Sequence, residues 1–363
     1  IASGSFTNAK IASDAITTAK IADTVNLGRR NLLINGAMLV DQRNGGASVT
    51  VSNGVDTFCP DRFRFTENHS GTFTIEQVSD APVGFEKSSK ITVTGTDTSL
   101  GATEFARILQ GIEGKNISHL NWGSANAKTC TLSFYVKSSV TGQYYVSINN
   151  GSTNRNMLKG YTIDAANTWE KKTIQIIGDT TGTWLTTNGG GIFLMWTLGT
   201  GSTYQSSTTD SYQAGFFMGK SDQINLAATN SATWQLTGAQ LEVGTATPFE
   251  HRSFDEELFL CQRYFQLISG GCFPAASSGT LEGSVTRREM RAAPTIGATA
   301  VLKVEDPSVT TYTQASAVVT TVQADAFAEK MQLKNFSGLS TQRPYFLRNP
   351  ASSSGQVTLE AEL

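Results

Sequence analysis

Thr129–Lys137, TCTLSFYVK, is the stretch on which the fold turns. Cys130, Leu132, Phe134 and Val136 fall on one side of an extended chain, and Thr131, Ser133, Tyr135 and Lys137 on the other. Successive side chains of a strand point to opposite faces, so this alternation describes a strand with one buried face. After a Ser-Ser-Val-Thr-Gly turn, Gln143–Asn149 (QYYVSIN) repeats the pattern, with Tyr144, Val146 and Ile148 set against Tyr145, Ser147 and Asn149. Two such runs joined by a short glycine-containing turn are expected to pair as an antiparallel hairpin.

Working outward, further strands are expected at Lys171–Ile177 (KKTIQII), Gly191–Leu198 (GIFLMWTL) and Thr233–Val243 (TWQLTGAQLEV). Clusters such as Thr186–Gly191 (TTNGGG) divide them. Short, regular strands without intervening helices indicate a two-sheet sandwich over residues 30–252. Trp196 and Trp234 stand in register with apolar neighbours and read as core.

Beyond the sandwich, Ser253–Gln266 (SFDEELFLCQRYFQ) predicts a helix. Ser253 can cap it with Glu256 answering, acidic residues suit its first turn, and Leu258, Cys261, Tyr264 and Phe265 form its apolar stripe. From residue 267 to 363 the β pattern returns in a smaller antiparallel domain, at GSVTRREMR, PTIGATAVL, SAVVTTVQ, AEKMQLKNF and QVTLEAEL.

Composition narrows the class. Charged residues make up 16% of the 363, net charge is −2, and glycines number 34. Recognition of nucleic acid or insertion at an anionic membrane would need a basic field, which this chain lacks. No apolar run is long enough to span a bilayer. Cys59, Cys130, Cys261 and Cys272 contain no CxxC pair, and with three histidines a zinc site has little support. Buried free thiols are expected. No cofactor is implied, beyond a structural Ca²⁺ that a loop could hold.

Residues 1–25 restart with Ile-Ala every ten positions, and Ile1, Phe6, Ile11, Ile16 and Ile21 mark a half-period of five. That spacing is neither helical nor strand-like. One large apolar side chain in five cannot bury itself within a single chain, but copies wound together can point those residues at a shared axis. Residues 1–29 therefore read as a fibrous stalk of a homotrimer. The chain starts inside this repeat, which suggests a part of something longer.

These residues also carry a resemblance. Thr17–Asp23 (TTAKIAD) resembles the shaft repeats of bacteriophage tail fibres. Asn31–Gly36 (NLLING), with Asp61-Arg62-Phe63 further on, is similar to the start of the jelly-roll domain in such fibres. Gly238–Glu250 (GAQLEVGTATPFE), Cys261–Phe265 (CQRYF) and Leu359–Leu363 (LEAEL) match the same family. The resemblance implies the distal, non-enzymatic part of a tail fibre: trimeric stalk, jelly roll like that of carbohydrate-binding modules, linking helix and β tip. It also implies attachment to glycan on a bacterial surface and, through a missing N-terminal part, to tail or baseplate proteins of the virion. A structural virion protein without a receptor, such as a head fibre or capsid decoration, is the alternative. A glycan depolymerase is a third reading. It would need two carboxylates ~5 to 10 Å apart, for which Asp56 with Asp61, Asp164 with Glu170, and Asp179 are candidates, but no GxSxG, HExxH or P-loop occurs.

Sugar rings pack their C–H faces on aromatic side chains while polar groups take their hydroxyls. Tyr135 and Tyr145, read as outward on neighbouring strands and flanked by Lys137, Ser147 and Asn149, are the expected platform. The alternative is that they lie under a loop or at a trimer interface. Trp122, Trp169 and Trp184 near strand ends, and Tyr204, Asp210 and Tyr212 in a polar loop, are further candidates. So are Tyr312 and Tyr345 with Arg343 and Arg348 in the tip.

Overall fold

The computed structural model describes residues 29–268, 270–324, 328–347 and 355–363. The decad repeat read as a stalk lies outside them, as does Arg348. The described chain is nearly all β with one α-helix, and it divides into two units. The first takes in residues 29–39, 46–57 and 63–252; the second, residues 40–45, 58–62 and the chain from 253 onward.

The first unit holds β1 (Val49–Thr50), β3 (Arg64–Asn68), β4 (Thr72–Val78), β5 (Ser88–Gly95), β6 (Phe105–Glu113), β7 (Cys130–Ser138), β8 (Gly142–Asn150), β9 (Arg155–Ile163), β10 (Glu170–Ile176), β11 (Gly190–Thr200), β12 (Gln213–Ala214) and β13 (Thr233–Val243); β2 (Thr57–Phe58) falls between β1 and β3. One sheet runs β1–β4–β5–β13–β7–β10, and the other runs from β12 through β9, β8, β11 and β6 to β3. The pairings are antiparallel, giving a jelly-roll sandwich. Cys130, Leu132, Phe134 and Val136 are fully buried from one sheet, and Tyr144, Val146, Ile148 and Trp196 from the other. Phe134 meets Tyr161 and Trp196 edge-on, with ring centres 5.2 and 5.7 Å away. Trp196 and Trp234 are core, as read from their register.

The expected hairpin does not form. β7 pairs with β10 and β13, whereas β8 pairs with β9 and β11, so the two consecutive strands lie in opposite sheets. Their apolar faces meet the same core from its two sides. Alternation reports a buried face but not the partner strand, so a short turn between alternating runs fits a crossover as well as a hairpin.

Residues 202–225 pack over part of the outer face of the second sheet. Ser147 Oγ donates to the Phe217 carbonyl at 2.6 Å, Asn156 Nδ2 to the same oxygen at 2.9 Å, and Thr197 Oγ1 to the Met218 carbonyl at 2.8 Å. Buried polar groups need such partners, and here one loop supplies them.

The second unit opens with α1 (Phe254–Cys261), whose Ser253 Oγ accepts from the Glu256 amide at 3.2 Å. The helix is shorter than the 253–266 expected. Gln262–Tyr264 turn, and Phe265 begins β14 (Phe265–Ile268), where aromatic and branched residues favour a sheet. β15 (Cys272–Ser277), β16 (Thr280–Thr286), β17 (Thr295–Ala298), β18 (Lys303–Glu305), β19 (Thr311–Thr313), β20 (Val318–Ala324), β21 (Ala328–Lys334), β22 (Pro344–Leu347) and β23 (Val357–Glu360) follow. They form the sheets β14–β23–β17 and β19–β18–β22–β15–β16–β21–β20 around Phe273, Leu281, Leu302, Val304, Leu333 and Tyr345. Arg43 pairs with Glu360 and Glu362 at 3.3 and 3.2 Å, Arg62 with Glu362, and Arg291 donates to the carbonyls of Ala361 and Glu362. Cys59, Cys130 and Cys261 are buried and unbridged; Cys272, at a strand start, is exposed, contrary to the expectation for all four. No helix among the described residues is long and apolar enough to cross a membrane.

Candidate functional site

Tyr135 sits on the outer face of the first sheet, in the middle of three strands. Register places Lys171 of β10 and Thr237 of β13 on either side of it, and Gln235 beside Lys137 in the next row. The strand β13 is interrupted between Thr237 and Gln240 by a bulge. Gly238, in that bulge, has φ +60°, a conformation open to glycine at little cost. A Cβ there would lie 2.7 Å from Phe85 Cζ and 2.9 Å from Tyr135 Cδ2. Glycine thus lets two aromatic rings close over the strand.

Around that point the chain assembles a groove of about 560 Å³. Phe85 comes from the turn between β4 and β5, while Phe249 and His251 follow β13. Ring centres stand 5.4 Å apart for Phe85 and Tyr135, 5.0 Å for Phe85 and Phe249, 5.3 Å for Phe85 and His251, and 4.9 Å for Phe249 and His251. Ser133, Lys171 and Thr247 add polar groups, and Val83, on the lip, is fully exposed. None of the lining residues is an Asp or Glu.

Beside the groove, Lys137 forms an ion pair with Asp80 and stands 5.2 Å from the centre of the Trp169 ring. Trp169 Nε1 and Gln235 Nε2 reach the same carboxylate at 3.3 and 3.2 Å. Burial acts to raise the Asp80 pKa, but the hydrogen bonds from Lys137, Gln235 and Trp169 outweigh it and hold the carboxyl below its usual range.

The remaining expected site residues go elsewhere. Tyr145 belongs to the opposite sheet, is 3% exposed, and donates its hydroxyl to Asp222 at 2.7 Å. Burial and that bond push its pKa well up. Asn149 is fully buried, its amide donating to Ser147 Oγ at 2.7 Å. Neither joins Tyr135 in a platform, because both lie on the opposite sheet, where Phe217 and Asp222 of the 202–225 loop pack over that part of the face. Trp122, Trp184 and Tyr212 pack edge to face, 4.7 to 6.0 Å between centres. They form an inward plug rather than a loop lining: Trp122 is 8% exposed with its indole nitrogen on the Lys128 carbonyl, and the Asp179 carboxylate receives Trp184 and Arg155. Asp210 is exposed, has φ +64°, and pairs with Lys159 at 2.7 Å. In the second unit, Tyr345 is core and packs on Tyr312, while Arg343 pairs with Asp306 at 3.0 Å.

Of the carboxylates weighed for catalysis, Asp179 is spent on Arg155 and Asp56 on Arg64. Asp164 and Glu170 share Lys172. No group of three or more metal-ligating side chains occurs among the described residues. Phe85, Phe249, His251 and Lys171 were missed from sequence, although a glycine inside an alternating run, Gly238, is a signal of close approach.

No family model matches the chain, and no curated protein matches it in sequence. Among solved structures, a domain of tailspike protein 4 from bacteriophage CBA120 is similar at 11% identity and TM-score 0.31, over 59% of this chain and 21% of that one. A family 61 carbohydrate-binding module, solved with β-1,4-galactotriose, aligns at 10% identity and TM-score 0.30, over 59% of this chain and 99% of the module. A family 11 module of a Clostridium thermocellum cellulase aligns at 11% and 0.27, over 56% and 100%. Likeness at this level carries no argument by itself; the sandwich rests on its own strand order.

Proposed function

We propose that this chain is the distal part of a bacteriophage tail fibre, and that its sandwich binds saccharide on the bacterial surface through the groove at Tyr135. The groove carries the reading. It joins the half-buried rings of Phe85, Tyr135 and Phe249 and the exposed His251 to hydroxyl and ammonium groups on a sheet, the combination that suits a sugar's apolar and polar sides. The tail-fibre part of the proposal is supported by the shaft-like repeat and by Asn31–Gly36 and Gly238–Glu250; the last of these supplies Gly238, Thr247 and Phe249 to the groove. Within the proposal the fibre is a homotrimer, located in the virion and outside the host cell. It is a binder rather than a hydrolase, a choice favoured by a lining without carboxylates.

The test is retention on an array of bacterial surface polysaccharides. Wild-type protein is expected to be retained by at least one, and Tyr135→Ala to bind it about fivefold more weakly, since one stacked ring contributes on the order of 1 kcal/mol. Absence of any retained polysaccharide, equal binding by a folded Tyr135→Ala, or shortening of the bound polymer would each contradict the proposal.

A further inference from the structure

Arg107 poses a problem of charge. It lies on β6, on the outer face of the second sheet, opposite Thr66 and Thr197. Its guanidinium stands between Phe105 and Phe216, 4.8 and 5.3 Å from the ring centres. Nη1 reaches only the thioether sulfurs of Met195 and Met218, both at 3.3 Å, and Nε is buried without a hydrogen-bond partner. Thioethers are weak acceptors. No carboxylate pairs with Arg107 among the described residues. The carboxylate whose charge reaches it, on Asp56, is taken up by Arg64 and by the Thr66 hydroxyl.

Arg64, paired with Leu109, is the diagonal neighbour of Arg107 across β3 and β6, and its Nε is likewise buried and unpartnered. Burial, and then the charge of Arg64, push the Arg107 pKa down to about 10, so the group remains a cation at neutral pH. The two ring faces attract the guanidinium, but the thioethers are poor acceptors, Nε is left without one, and Arg64 adds a second cation beside it. A water molecule could satisfy a hydrogen bond here but could not balance the charge.

We infer that Arg107, with Arg64, forms a subsite for a small oxyanion, the carboxylate of an acidic sugar unit, whose ring rests on Phe105, Tyr204 and Phe216. The three rings are half-buried and contact one another in sequence, at 5.6 Å for Phe105 and Tyr204 and 5.8 Å for Tyr204 and Phe216. They present apolar surface beside the cation. A guanidinium fork matches carboxylate and phosphate geometry alike, so the oxyanion is the shared chemistry and the sugar is what distinguishes the source. This subsite lies on the opposite sheet from the Tyr135 groove and does not depend on it.

The experiment is calorimetric titration of the chain with sodium glucuronate, inorganic phosphate and glucose at matched ionic strength. Saturable glucuronate binding is expected, with glucose inert and phosphate weaker. Binding should fall about tenfold or more in Arg107→Met, the loss expected for a hydrogen bond to a charged group. Arg107→Lys, which keeps the cation without the fork, should also bind more weakly, and serves if the methionine variant fails to fold. Phosphate binding as tightly as glucuronate would overturn the sugar assignment. Failure of both anions to bind above chloride, or full binding by either folded variant, would overturn the subsite. The array tests the groove through Tyr135 and the titration tests this subsite through Arg107, so failure here and failure of the groove are separable.

Discussion

Asp61 gives the second unit a measurable pH response. Burial raises its carboxyl to about 6, against the opposing pull of Arg43 and the Gln42 hydrogen bond, while Glu362 and Asp41 add to the rise. In the unfolded chain the same group titrates near 4. Between those values the folded state holds the proton that the unfolded state has released, so stability falls as pH rises through that window. Asp61→Asn should flatten this part of the profile. Melting curves from pH 4 to 7 on both proteins check it, and identical slopes would contradict the assignment. At the same scale, the faces of Phe134, Trp196 and Trp234 were legible because alternation marks what points inward. Tyr145 and Asn149 were not. Their outward register was right, but burial of that face depends on a loop more than fifty residues later, whose contacts no local pattern reports.

At the scale of elements, the bulge in β13 is what makes the groove. Gly238→Ala would place a methyl group against Phe85 and Tyr135 and hold a left-handed backbone that costs an L-residue about 1–2 kcal/mol. Lower thermal stability of the sandwich and weakened saccharide retention are expected together, whereas a variant retaining wild-type binding would show that ring spacing does not matter. Strand existence was legible at β7 and β8, where the alternation is unbroken, and at β10, β11 and β13, where apolar runs are divided by Gly/Asn/Thr clusters. Strand pairing was not, since β7 and β8 carry the same pattern whether they share a sheet or face each other across a core. The helix start was legible in Ser253 and its acidic first turn, but its end was overrun because Tyr264 and Phe265 continue an apolar stripe while belonging to a turn and a strand.

For the whole molecule, the order of sandwich, helix and smaller β-unit could be read from where periodicity changes. That residues 40–45 and 58–62 belong with the later unit could not, because long-range contacts such as Arg62 with Glu362 leave no trace in local sequence. The claim on which the functional account depends is that saccharide occupies the outer face of the first sheet. A crystal structure of the protein soaked with a polysaccharide fragment it retains tests this most directly. The account predicts a sugar ring stacked on Tyr135 and Phe85, within reach of Lys171. Density for the fragment only in the second unit, or an empty groove at saturating ligand, would contradict it.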